Sequence, residues 1–187
     1  MIELLKNTDT RLFLFLNGKH NDFFDVLMWW ASYKFTWVPL YGFFLFFIWK
    51  KYGKKSFLLL ISILIMVLIS DQISVQVFKN VFMRYRPCYN ENIKQLVHLV
   101  DGYCGGQYGF ISSHAANTFA LAVFLSFVFQ KKYFSVLVIF WAILNSYSRV
   151  YLGVHYPSDV VFGALLGCIV GYIVFRLFII AEQKLQF

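Results

Sequence analysis

Three polar stretches interrupt an otherwise apolar chain, and together they hold the residues best suited to chemistry. The first is KNVFMRYRP, positions 79 to 87, the second YGFISSHAAN, positions 108 to 117, and the third SRVYLGVHYPSD, positions 148 to 159. They supply three cations (Lys79, Arg86, Arg149), two imidazoles (His114, His155), one carboxylate (Asp159, four residues after His155) and the hydroxyls of Ser112, Ser113 and Ser148. A phosphoryl group suits this set, because its charge is spread over several oxygens. Arginine matches those oxygens in pairs, and lysine adds a compact point charge. In such a site His155 attacks phosphorus through one ring nitrogen while Asp159 holds the other N–H. His114 then protonates the leaving oxygen and later activates water. Lys79, Arg86 and Arg149 stabilise the charge that develops on the equatorial oxygens. Familiar zinc-ligand spacings are missing, and the cations take the place of a metal, so no metal or other cofactor is expected.

These groups must be carried to one place by the elements between them. The chain has 187 residues, 60% of them hydrophobic and 14% charged, with 23 Phe. Its mean hydropathy is +0.64. Soluble domains carry about 25% charged residues, so the balance points to a membrane. Apolar runs at 35–50, 56–79, 113–130, 133–148 and 158–180 read as spanning helices, with a sixth, shorter candidate at 22–33. The runs are continuous rather than alternating, which excludes a spanning β-barrel. The expected fold is an all-α, polytopic membrane helical bundle of about six transmembrane helices, forming one domain over 1–187.

The N-terminal segment shows no cleavable signal pattern and resembles an amphipathic surface helix. KYGKK at 51–55 and KK at 131–132 are short basic connections, which the positive-inside rule places in the cytoplasm. The three polar stretches then share the opposite face. If 22–33 is a span, both termini are cytoplasmic, and Lys6, Arg11, Lys19 and Lys184 agree with that. The net charge of +8 is thereby explained by topology, and nothing suggests a nucleic-acid partner. Gly163, Gly167 and Gly171 give the last span a small-residue face for close packing within the bundle. Ser112 or Ser113 is the expected N-cap of the 113–130 helix, and Pro157 the expected first residue of the last one.

The order Lys-x6-Arg-Pro, then Ser-x-His, then Ser-Arg-x5-His-x3-Asp resembles the type 2 phosphatidic acid phosphatase family, whose superfamily includes vanadium haloperoxidases. Lys79, Arg86 and Pro87 match its first motif, Ser112 and His114 its second, and Ser148, Arg149, His155 and Asp159 its third. Ile111 and Ser113 stand where that family usually has proline and glycine. The resemblance implies a phosphohistidine at His155, oriented by Asp159, with His114 as acid–base partner. It also implies phosphate contacts from Lys79, Arg86, Ser112, Arg149 and the backbone N–H of Ser113.

The expected activity is hydrolysis of a lipid phosphate or diphosphate at the outer face of a bacterial cytoplasmic membrane. Candidate substrates are undecaprenyl diphosphate, lipid A, phosphatidylglycerol phosphate and phosphatidic acid, reached from the bilayer with no obligate protein partner. The alternative is a lipid phosphotransferase or lipid-phosphate carrier using the same anion site. Further expectations are a disulfide between Cys88 and Cys104 in an oxidising compartment, solvated roles for His20 and His98, headgroup contacts or a plain loop role for Arg84 and Lys94, and structural pairing of Asp71 with a polar group such as Gln72 or Asn145. Tyr85, Tyr108 and Tyr151 are candidate pocket walls.

Overall fold

The computed structural model describes residues 2–184, and among these every regular element is helical. A surface helix α1 (Ile2–Asn17) and a short α2 (Asp22–Ser32) precede α3 (Val38–Tyr52) and α4 (Ser56–Gln72). From α4 the chain continues through a π-helical turn, Ile73–Lys79, into the short α5 (Asn80–Phe82). A long loop then leads to α6 (Ser113–Phe129), α7 (Lys132–Tyr151) and α8 (Pro157–Lys184).

Helix α6 is the centre of the bundle, packed against α8, α7 and α4. Small residues on both partners make this possible. Ala115, Ala116, Ala120 and Ala122 are fully buried on α6, and α8 brings Gly163, Gly167 and Gly171 against them. A Cβ at Gly163 would lie 2.5 Å from the Ser112 carbonyl oxygen. At Gly167 and Gly171 it would overlap the carbonyl oxygens of Ala116 and Ala120. The glycine face therefore serves packing inside the bundle. Outward, Phe46, Leu64, Phe140, Leu165 and Leu177 are exposed, as expected of a surface that meets lipid rather than water.

Among the described residues three helical stretches are long and apolar enough to cross a bilayer, Lys34–Phe82, Lys132–Tyr151 and Pro157–Lys184, and Ser113–Phe129 is a shorter apolar helix. The first of these reverses at Gly53, whose φ of +54° suits a residue without Cβ, so it supplies two segments, α3 and α4. The sixth candidate, 22–33, is α2. Its 11 residues reach about 16 Å, half of the roughly 30 Å hydrocarbon core. It packs beside the end of α7 that carries the third polar stretch, where Met28 meets Tyr151 and Leu152.

Helix α1 lies on that same side, which corrects the expectation for Lys6, Arg11 and Lys19. Asp9 binds Ser158, Phe13 packs on Tyr156 with ring centroids 5.4 Å apart, and Asn17 bonds the carbonyls of His98 and Tyr151. Because α2 does not cross, the N-terminal segment stays with the polar loops. The charge asymmetry survives in another form. Eight of the nine carboxylates fall in the site half with nine cations, whereas the opposite half holds eight cations and only Glu182.

The α6–α8 contact yields a prediction. Gly167→Ala pushes a methyl into the Ala116 carbonyl and should destabilise the detergent-solubilised protein by about 1–3 kcal/mol, the usual cost of overpacking. Thermal unfolding measures it, and Gly42→Ala, where a Cβ meets nothing within 4 Å, should leave the midpoint nearly unchanged.

Candidate active site

The three polar stretches meet where α6 and α8 begin and α7 ends. Ser112 caps α6, its side chain accepting from the Ala115 N–H, and its own N–H donates to the Asp159 carbonyl at 2.9 Å. Pro157 opens α8. Two residues further, the Asp159 carboxylate reaches back to accept the N–H of Tyr156 at 3.0 Å, as in a capping box. That bond fixes Asp159 Oδ2, which lies 3.4 Å from His155 Nδ1. His155 Nε2 is therefore the nitrogen left to face a ligand.

His155 is 2% exposed and Asp159 fully buried. Gly109 covers them closely: a Cβ there would be 3.1 Å from Asp159 Oδ2 and 3.5 Å from His155 Nδ1. Burial, followed by the charges of Arg86, Arg149 and Lys79, holds the His155 imidazole well below its ordinary value, against a backbone hydrogen bond with Gly109. It is neutral at pH 7, the state a nitrogen nucleophile needs.

The cations come from three elements. The π-helical turn ends on Lys79, whose Nζ donates to Ser113 Oγ at 2.5 Å. Ser113 Oγ also bonds Ser74 at 2.6 Å, so the serine found in place of the family's glycine anchors the lysine through its side chain. Arg86 is 8% exposed and held by the carbonyls of Tyr108, Cys104 and Val154. Arg149 is 5% exposed. One of its N–H groups bonds Ser32, and its buried Nε has no partner among the described residues. Among those residues none of the three forms an ion pair with a carboxylate. A cavity of about 450 Å³ reaches His114 and Arg149, with Trp29, Tyr33, Tyr103 and the exposed Lys34 among its other walls. Arg149 thus lines the cavity as an unneutralised cation.

Several expectations change in detail. Arg84 is not free for a headgroup: it donates to Asp159 Oδ1 at 2.8 Å and to Asp9 Oδ2 at 2.6 Å and stacks 3.9 Å from the Tyr156 ring centroid. Lys94 pairs with Glu91. Ser148 donates to the Asn145 carbonyl of its own helix, so the proton of that hydroxyl is already engaged. Asn145 Nδ2 bonds Ala31, not Asp71. Tyr85 pairs with Tyr108 in an isolated bridge, Tyr151 bonds Asp25, and the aromatic walls of the cavity come from α2 and the 83–112 loop instead. His98 bonds Asp25, and the His20 ring stacks on it. Asp9, Ser32 and Trp29 were not legible as site residues, because they lie far away in sequence and belong to no motif.

A family model described as the PAP2 superfamily matches residues 58–181. The chain belongs to that superfamily. It is 41% identical over 175 residues to a lipid A 4′-phosphatase of Bacteroides thetaiotaomicron, covering 92% of this chain and 78% of the relative. A lipid A 4′-phosphatase of Porphyromonas gingivalis is 37% identical, covering 98% and 78%. Among solved structures, Aquifex aeolicus LpxE aligns with TM-score 0.66 and 25% identity over 89% of this chain and 94% of that one. A transmembrane PAP2-type phosphatidylglycerolphosphate phosphatase of Bacillus subtilis shares the fold, with TM-score 0.69 and 20% identity over 91% and 84%.

The 83–112 loop is closed by Cys88 and Cys104, bonded with Cα atoms 6.3 Å apart. Chain-entropy arguments assign about 3 kcal/mol to a loop of this length. Reduction should lower the unfolding midpoint by several degrees and leave the spectrum of the helices unchanged. A midpoint insensitive to reductant would mean that the bond contributes nothing.

Proposed function

We propose that this protein hydrolyses the 4′-phosphate of lipid A, or a phosphate monoester on a closely similar acylated sugar, through a phosphohistidine at His155. The chain is a membrane lipid phosphatase, a hydrolase of the PAP2 superfamily. The observation that carries the reading is a cluster of three cations lacking carboxylate partners around a buried, neutral imidazole. The substrate choice is supported by the two lipid A 4′-phosphatases, which align over nearly the whole chain. An undecaprenyl-diphosphatase of Sulfolobus acidocaldarius is more distant, 32% identical over 75% of this chain.

His155 Nε2 attacks phosphorus as the bond to the sugar oxygen breaks. His114 delivers its proton to that oxygen. Arg149 Nε, Arg86 and Lys79 receive the equatorial oxygens, with the α6 N-terminus at Ser112 and Ser113 adding backbone donors. Asp159 holds the Nδ1 proton and stabilises the positive ring. Water then attacks phosphorus, giving a proton to His114, as the N–P bond breaks and its electron pair returns to the ring. Inorganic phosphate leaves and His155 returns to neutral. The fixed guanidinium and ammonium charges do the work that a divalent ion does in other phosphatases, so turnover requires no metal. Arg84 and Asp9 act one step back: Arg84 bridges both carboxylates and fixes Asp159, which makes them positioning residues.

The site faces the periplasm of a bacterial inner membrane in this reading. The support is the concentration of unneutralised cations on the opposite half, as expected of a cytoplasmic face.

His155→Ala should reduce phosphate release from lipid A by about 10³-fold or more, as for other nucleophiles that act as part of a unit. Wild-type release should persist in EDTA. Retained turnover in the variant would overturn the phosphohistidine.

The pH dependence has a definite sign. His155 is held neutral to well below its ordinary value of 6.5, so kcat/KM of the free enzyme should show no acid limb near pH 6.5 from this group. Arg86→Gln removes a charge that keeps it neutral and should move that limb upward, alongside a lower rate.

Asp9→Asn offers a third test. The asparagine can still accept from Ser158 but no longer balances Arg84. Expected is a fall in kcat with KM little changed, and Arg84→Lys, which cannot bridge both carboxylates, should behave alike. An unaltered kcat in Asp9→Asn would confine Asp9 to anchoring α1.

A further inference from the structure

Away from the phosphate site, three segments bring together two imidazoles and a carboxylate. His20 lies in the turn between α1 and α2, Asp25 in the first turns of α2, and His98 in the 83–112 loop. One ligating atom from each lies within 4.8 Å of the others. His98 Nε2 is 3.0 Å from both Asp25 oxygens. The His20 ring lies flat against the His98 ring, with centroids 3.6 Å apart and planes 2° from parallel.

The surroundings fix two of the three ligands. Tyr151 Oη donates to Asp25 Oδ1 at 2.6 Å, orienting the carboxylate from behind. Asn17 is fully buried, donates to the His98 carbonyl at 3.0 Å and accepts the His98 N–H at 2.8 Å. Such outer contacts are the usual means of aiming metal ligands. His20 is exposed, so its ring can rotate out of the stack and turn a lone pair toward an ion shared with the other two.

We propose that His20, Asp25 and His98 form a structural site for a divalent transition metal, with water completing the shell. Two imidazoles and one carboxylate suit zinc, with bonds of about 2.0–2.2 Å, and do not suit magnesium, which takes oxygen ligands. The ion would tie the α1–α2 turn to the 83–112 loop. That loop presses on the turn before the nucleophile: a Cβ at Gly153, φ +76°, would lie 2.6 Å from the His98 carbonyl oxygen. Zinc here stiffens the foundation of His155 without touching substrate.

The test uses untagged full-length protein in detergent, stripped with chelator and then titrated with zinc chloride by calorimetry and thermal unfolding. Expected are one saturable site per chain, a midpoint raised by several degrees and restored by EDTA, and no shift with magnesium. His20→Ala removes an exposed ligand at no cost to folding and should weaken zinc binding at least tenfold. Asp25→Asn should weaken it similarly. Absence of saturable binding by the wild type, or equal binding by His20→Ala, would overturn the site. Neither readout involves phosphate release, so the result is independent of the phosphatase chemistry.

Discussion

Burial of positive charge without matching negative charge is the constraint on which the rest of the molecule depends. Taking an ion out of water costs several kcal/mol even after relaxation, and a partner usually offsets this. The one buried carboxylate at the site, Asp159, is already engaged by Arg84. Arg86 is restrained by three carbonyls, Lys79 by a hydroxyl, and Arg149 keeps an Nε with no acceptor among the described residues. In the proposed function a tetrahedral anion supplies the missing charge. On that proposal the site is preorganised for the phosphoryl group, and the protein bears the cost of that arrangement when it folds.

Holding those charges in place requires helices that approach unusually closely. The glycines of α8 and alanines of α6 let the two backbones touch, and the helix starts carrying Ser112 and Asp159 are joined by a hydrogen bond. His114 and His155 are consequently set by backbone packing rather than by flexible side chains. The π-helical turn before Lys79 belongs to the same logic, because an extra residue in a turn re-aims the side chains beyond it. The surface helix α1 adds a brace from outside. Through Asp9, Ser158 and Arg84 it reaches the Asp159 carboxylate beside His155, so a segment with no motif of its own takes part in the geometry.

Much of this was legible because the chemistry is local in sequence. His155 and Asp159 are one helical turn apart, and both caps, Ser112 and Pro157, sit where their residue types place them. The five long apolar runs correspond to helices for the same reason: lipid permits little else. Contacts between distant segments could not be read in that way. The side of the membrane on which α1 lies is set by Asn17, Asp9 and Phe13 meeting residues more than 80 positions away. The free-looking Arg84, Ser148, His20 and His98 are each engaged by partners that no spacing rule names. The positive-inside rule misplaces the N-terminus relative to the polar loops, because that placement depends on a span that α2 is too short to make.

The central claim is that a tetrahedral oxyanion completes an otherwise unbalanced cationic site. Its most direct measurement is the unfolding midpoint of the detergent-solubilised protein in sodium tungstate or vanadate, against sodium chloride at equal ionic strength. The account predicts a saturable rise in the wild type that is largely lost in Arg149→Met. Equal midpoints in both salts, or an undiminished rise in that variant, would contradict it.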